Sequence, residues 1–131
     1  MPKKIRVLVV DDEEDFLRIA KLNLEESGRF EVMTLTSAKN LIENVHIFKP
    51  DLILMDLIMP GIGGIEACEM LNNDPLGQKI PIIVLSALDK DADKLAAYKK
   101  GAVGYLTKPI EKKDLIAKIE KALSTKIKDT P

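Results

Sequence analysis

The chain contains a single cysteine and no tryptophan, and aromatic residues make up only 4% of it. One thiol, Cys68, cannot form an intrachain disulfide, which fits a reducing compartment and points to the cytoplasm. Neither sign of charge dominates, with 20 Lys and Arg against 21 Asp and Glu. Without a basic stripe or interleaved aromatics, the chain has no electrostatic footprint for direct nucleic-acid or membrane-surface binding. No apolar run reaches the ~20 residues of a transmembrane helix. Met1 to Lys4 lead straight into a strand-like run, with no apolar signal region. The lone histidine, His46, reads as a surface residue and has no second imidazole for a metal pair or a phosphohistidine relay. What is present, 131 residues with 46% hydrophobic and 31% charged, is the composition of one globular domain. We expect that domain over 1–125 and an unanchored tail over 126–131.

Hydrophobic periodicity divides the chain into alternating strands and helices. Ile5–Val10 is nearly continuous and β-branched, as in a strand buried on both faces. Phe16, Leu17, Ile19, Ala20 and Leu24 then recur at helical spacing, and Gly28 marks a stop. Phe30–Leu35 alternates like an edge strand. Ser37 is placed to cap a helix whose inward residues are Ala38, Leu41, Ile42, Val45 and Phe48, closed by Pro50. A third strand ends at Asp56 and turns through Met59-Pro60-Gly61, before a helix with Ile65, Cys68 and Leu71 inward. Cys68 on that stripe reads as a small buried hydrophobe. Ile80–Leu85 is a fourth strand, followed by a helix with Ala92, Leu95 and Ala96 inward and Lys99-Lys100-Gly101 at its end. Ala102–Leu106 is a fifth strand, and the last helix carries Leu115, Ile116, Ile119, Ala122 and Leu123. Such alternation indicates an α/β domain with a mainly parallel sheet covered on both faces.

Polar groups gather where these strands end. The first runs into Asp11 and Asp12, the third into Asp56, the fourth into Ser86 and the fifth into Lys108. In a parallel sheet all of them meet at one edge, where binding sites form. Packing requires none of them. Carboxylates brought within ~4 Å repel by roughly 4 kcal/mol per pair at an effective dielectric near 20. Protonation or a cation relieves this, and hard carboxylate oxygens suit Mg²⁺, with Mn²⁺ as an alternative. An acidic pocket holding a divalent cation and an ammonium can receive a phosphoryl group. Asp56, isolated at its strand end, is the best placed nucleophile for an aspartyl phosphate; Asp11 and Asp12 are better suited to a metal, and Ser86 offers a hydroxyl donor.

Four segments together resemble the receiver domain of two-component response regulators: Val-Leu-Val-Val-Asp-Asp-Glu at 7–13, Met-Asp-Leu-Ile-Met-Pro-Gly at 55–61, Val-Leu-Ser-Ala at 84–87, and Gly-Ala-Val-Gly-Tyr-Leu-Thr-Lys-Pro at 101–109. The resemblance covers about residues 4 to 124. It implies a flavodoxin-like (βα)5 fold with strand order 2-1-3-4-5. It implies Asp56 as phosphoacceptor, with the phosphoryl group drawn from a phosphohistidine of a sensor histidine kinase or phosphotransfer protein. Asp12, Asp56 and the Ile58 carbonyl would ligate Mg²⁺, with Asp11 acting through water. Ser86, the Ala87 N–H and Lys108 would bind the phosphoryl oxygens. Ser86 and Tyr105 would form the switch that alters the surface of the fourth helix, fifth strand and fifth helix, where a downstream protein binds or a homodimer forms. Lys108-Pro109 matches a pair usually joined by a cis peptide. Ile58 and Leu88 occupy positions that tune phosphoryl lifetime; both are apolar here, which implies slow self-dephosphorylation. Gly63-Gly64 replaces a common Asp-Gly pair, so a looser start is expected for the third helix, and Ile110 replaces a frequent Phe.

Other functions fit less well. A phosphatase of the haloacid-dehalogenase type wants Asp-x-Asp on its first strand, whereas Asp11 and Asp12 are adjacent. A flavodoxin-like cofactor binder would not place acids where a flavin phosphate sits, and no Gly-rich phosphate loop is present. A pseudo-receiver used only for docking does not need the acids, Ser86 and Lys108.

Overall fold

The computed structural model describes residues 3–87 and 90–128, with side chains through Ser124. The strands are β1 Ile5–Val10, β2 Phe30–Leu35, β3 Leu52–Asp56, β4 Ile82–Ser86 and β5 Gly104–Thr107. The helices between and after them are α1 Glu14–Glu25, α2 Leu41–Phe48, α3 Gly64–Asn72, α4 Asp91–Lys99 and α5 Lys112–Lys128. Every strand pair is parallel, and the order is β2-β1-β3-β4-β5. The α/β fold and the order expected from the resemblance are both present.

The pleat explains why the strands carry so few polar residues. Leu8, Val10, Ile53, Met55 and Val84 face one layer and meet Leu41, Val45, Phe48, Cys68 and Leu71 of α2 and α3. Their sequence neighbours Val7, Val9, Leu52, Leu54, Ile83 and Leu85 face the other layer, against Leu17 and Leu24 of α1 and Leu115 and Ile119 of α5. A strand covered on both sides must be apolar at every position, and each fully buried aliphatic side chain contributes roughly 1.5–3 kcal/mol. β2, at the edge, keeps the alternation expected of it, with Phe30 and Val32 buried and Glu31 exposed.

At the amino edge of the sheet, Arg6 ties several elements together. Its backbone N–H donates to Asp51 at 2.8 Å, its guanidinium donates to the Phe48 carbonyl at 2.6 Å, and its charge lies 5.3 Å from the Phe48 ring centroid. His46 is on the surface as expected, 2.9 Å from the Asp74 carboxylate, which also accepts from the Leu76 and Gly77 N–H groups.

Several local expectations are corrected. Ile19 is 55% exposed, because α1 buries Leu17, Ala20 and Leu24 and that arc leaves Ile19 outside. Ser37 does not cap α2; the helix starts at Leu41, after a turn in which the Leu41 N–H donates to the Ala38 carbonyl. α4 is rotated from its expected phase: Ala97 is buried, Leu95 is 56% exposed, Ala92 is exposed and Ala96 is half-buried. A helix whose apolar residues are mostly alanine has little hydrophobic area to set its phase, and the Lys94 ammonium instead sits 5.8 Å from the Tyr105 ring centroid. A 3-10 turn at Gly77–Lys79, not expected from the sequence, links α3 to β4.

Candidate functional site

Parallel pairing delivers the polar strand ends to one edge. Asp56 pairs in register with Leu85, one residue before Ser86, and Ser86 pairs with Thr107, one residue before Lys108. The Lys108 N–H donates to the Ser86 carbonyl at 2.8 Å, so the strand-five exit is anchored to the strand-four exit. On the other side of β3, the Asp11 N–H donates to the Leu35 carbonyl of β2 at 3.0 Å. These bonds depend only on the ladder, and they fix where each functional side chain begins.

Carboxylate oxygens of Asp11, Asp12 and Asp56 all lie within 4.8 Å of one another. Asp11 is fully buried and Asp56 is 5% exposed, while Asp12 opens to solvent. Burial, followed by repulsion from Asp11, pushes the Asp56 carboxyl up to about 7; Lys108 and the Ile58 N–H pull the other way. A carboxylate so disfavoured is one that a proton or a cation relieves. The cluster's hard oxygens and their spread fit a small divalent cation held by some acids directly and by others through water. The acidic cluster is therefore able to hold a metal, and receiver domains generally use Mg²⁺.

Lys108 supplies the opposing charge. Its Nζ donates to Asp11 Oδ2 at 2.6 Å and to Glu13 Oε1 at 2.8 Å, and it lies 4.4 Å from the Phe16 ring centroid. Burial alone would lower the Lys108 pKa, but the hydrogen bonds to Asp11 and Glu13, together with the charges of Asp11 and Asp56, outweigh it and hold the ammonium protonated. Lys108-Pro109 is cis, as expected.

The remaining residues expected at the site are distributed around this core. Ser86 is buried at the floor of the edge, and Ala87 follows it in an exposed bend. Ile58 is 58% exposed beside Asp56, so its side chain faces solvent more than it covers the carboxylate. Tyr105 is buried on β5, two positions before the Thr107 that pairs with Ser86. Leu88 lies outside the described residues.

Two further residues belong to the site and are not evident from sequence. Glu13 lies just ahead of α1, and its side chain holds Lys108 across 95 positions of sequence. Gly64 reads as loosening α3. A Cβ there would instead collide with the Asp56 carbonyl and lie 2.7 Å from the Leu57 α-carbon, while the Gly64 N–H donates to the Leu57 carbonyl at 2.9 Å. The helix starts directly against the backbone of the acid, and glycine is what permits it.

The sequence profile of the response regulator receiver domain matches residues 7–120. The transcriptional regulatory protein PhoP for alkaline phosphatase synthesis in Bacillus subtilis is 36% identical over 118 residues, 90% of this chain and 48% of PhoP. The response regulator PleD of Caulobacter vibrioides is 37% identical over 116 residues, 87% of this chain and 25% of PleD. The chain thus spans about half the length of the first of these relatives and a quarter of the second. Among solved structures, a CheY-like receiver domain protein from Methanospirillum hungatei superposes with a TM-score of 0.88 at 26% identity, covering 97% of this chain and 99% of the other. The response regulator domain of Thermotoga maritima CheB superposes with a TM-score of 0.83 at 29% identity, covering 93% and 98%. The chain belongs to the response regulator receiver domain family: it is a two-component signalling domain phosphorylated on aspartate, a phosphoacceptor rather than a catalytic enzyme.

Proposed function

We propose that Asp56 is the phosphoacceptor and that the donor is a phosphohistidine of a sensor histidine kinase or phosphotransfer protein. The observation carrying this reading is the placement of Asp56, a nearly buried carboxylate at the end of the central strand, beside two further acids. An Asp56 oxygen attacks phosphorus, the P–N bond to the donor imidazole breaks, and its electron pair stays on the imidazole nitrogen. Asp12, Asp56 and the Ile58 carbonyl, with Asp11 acting through water, would hold Mg²⁺, or Mn²⁺ in its place, which would supply charge neutralisation at the phosphoryl oxygens. Ser86, the Ala87 N–H and Lys108 receive those oxygens. The exposed Ile19 and Leu22 on α1 suit contact with a donor protein.

Phosphorylation then biases Ser86 and Tyr105, and with them the α4–β5–α5 surface, toward a form that a downstream protein or a second copy of the chain recognises. The setting is cytoplasmic, and the receiver unit covers 1–125. Incubation with Mg²⁺ and acetyl phosphate, read by intact mass, tests the central claim. One added phosphoryl group is expected, absent in Asp56→Asn and absent without Mg²⁺. An adduct that survives Asp56→Asn overturns the assignment.

A further inference from the structure

Glu13 sits outside the triad of acids and outside the groups that receive a phosphoryl oxygen, yet it completes a closed ring around Lys108. The Glu13 N–H donates to Asp11 Oδ1 at 2.8 Å, the Lys108 ammonium donates to Asp11 Oδ2 at 2.6 Å, and the same ammonium donates to Glu13 Oε1 at 2.8 Å. The partners are unequal. Asp11 is fully buried and fixed at both oxygens, whereas the Glu13 side chain is 64% exposed and reaches Lys108 from the solvent side. Lys108 is 12% exposed, so its ammonium is largely screened from solvent while its second partner, Glu13, is open to it. Phe16 contributes its ring on a further side. Two carboxylates and an aromatic face thus occupy the ammonium's surroundings while Asp56 carries no phosphoryl group.

We infer that Glu13 is a positioning residue that holds Lys108 in reserve, competing with the phosphoryl group for its ammonium. The inference rests on Asp56 being the phosphoacceptor. A lysine ammonium has three donors. Asp11 and Glu13 take two of them and leave one, so a second phosphoryl oxygen, or a shift of the ammonium toward Asp56, is met only by releasing one of these bonds. Asp11 does not yield easily, since it is buried and bound at both oxygens, where water cannot take the ammonium's place. Glu13 does, because water solvates it at once. The exposed arm of the ring is therefore the one that opens, and its strength sets how readily Lys108 is recruited. Helix capping does not compete for the Glu13 side chain. Glu13 occupies the N-cap position of α1 but makes no side-chain capping bond, and the helix keeps its Leu17 N–H to Glu13 carbonyl bond whatever the side chain is.

The test compares Glu13→Gln with Glu14→Gln, which removes an equal charge one residue away on the first turn of α1. Two quantities are read: the Lys108 Nζ resonance by NMR in metal-free protein, and the rate of Asp56 phosphorylation by acetyl phosphate with Mg²⁺. Glu13→Gln is expected to shift the Nζ resonance and to speed phosphorylation by about two- to fivefold, the scale of a half-exposed ion pair. Glu14→Gln is expected to leave the resonance in place and change the rate by less than about 1.5-fold. Equal effects of the two variants on the rate would mean that general charge, not Lys108, is responsible, and would overturn the inference. So would an unmoved Nζ resonance in Glu13→Gln. Failure of the unsubstituted chain to take up phosphoryl would count against the Asp56 reading, while the resonance would still decide whether Glu13 holds Lys108.

Discussion

Gly64 lies against the peptide that carries Asp56: a Cβ at this position would overlap the Asp56 carbonyl oxygen and come within 2.7 Å of the Leu57 α-carbon. Both obstructing atoms belong to backbone, which cannot rotate aside as a side chain would. Gly64→Ala should therefore lower stability by about 1–3 kcal/mol, despite alanine's better helix propensity. It should also slow phosphorylation, because α3 or the Asp56 peptide must move. Gly63 differs, since a Cβ there meets the Leu57 carbonyl at an ordinary 3.7 Å. Gly63→Asp, which gives α3 a side-chain cap, should raise stability by about 0.5 kcal/mol. Urea denaturation of the two variants decides the matter.

The contrast between these glycines shows where sequence reading ends. Two adjacent glycines look alike in sequence, and only the approach of α3 to β3 separates them. The same holds for Glu13, whose acid is visible but whose partner lies on the far strand of the sheet. The strands, by contrast, are legible because burial on both faces makes Val7–Val10 and Leu52–Met55 unbroken apolar runs. α4 is obscure for the opposite reason. Ala92, Leu95, Ala96 and Ala97 give nearly equal support to more than one helical phase, and tertiary contact selects the one that buries Ala97. The convergence of Asp11, Asp12, Asp56, Ser86 and Lys108 needs only the assumption of a parallel sheet.

Raising the Asp56 carboxyl to about 7 makes stability depend on pH in the metal-free protein. Between roughly pH 4 and 7 the folded chain keeps a proton that the unfolded chain releases, so stability falls as pH rises through this window. Asp56→Asn removes that titration. The variant should match the unsubstituted chain below about pH 4 and exceed it progressively up to pH 7, reaching a plateau of roughly 4 kcal/mol above it. Millimolar Mg²⁺ should narrow the gap at pH 8, since binding to the folded state alone stabilises it. Thermal melts across pH, with and without Mg²⁺, check both statements. A gap that widens toward low pH would contradict them.

Lys49, at the C-terminal end of α2, has φ 53° and ψ 63°, the left-handed conformation. A side chain there costs about 1–2 kcal/mol, and glycine's greater unfolded-state freedom recovers only part of that. Lys49→Gly should stabilise by about 0.5–1 kcal/mol, and Lys49→Ala should not. The residue precedes β3 at the amino edge of the sheet, opposite the acids, so neither change should alter phosphorylation by acetyl phosphate. Paired denaturation and phosphorylation assays would reveal any coupling between the two edges.

Ile58 bears on how long the phosphoryl group persists. It follows Asp56 by two residues, its N–H donates to the Asp56 carboxyl, and its side chain is 58% exposed at the mouth of the site. An isoleucine side chain can neither donate nor accept a hydrogen bond, so it cannot orient the water that hydrolyses an acyl phosphate. Its exposure also means that an amide there would face the solvent from which that water comes. Ile58→Asn should shorten the phosphoryl half-life by several-fold to about tenfold, and adding Leu88→Glu should shorten it further. The substitution at 58 is on the surface and should change stability by less than about 0.5 kcal/mol, which separates a lifetime effect from unfolding. The half-life is read from the decay of phosphoprotein mass after the phosphodonor is removed. An unchanged half-life in the double variant would show that the apolar residues at these positions do not set it, and would shift attention to Lys108 and the acids that hold it.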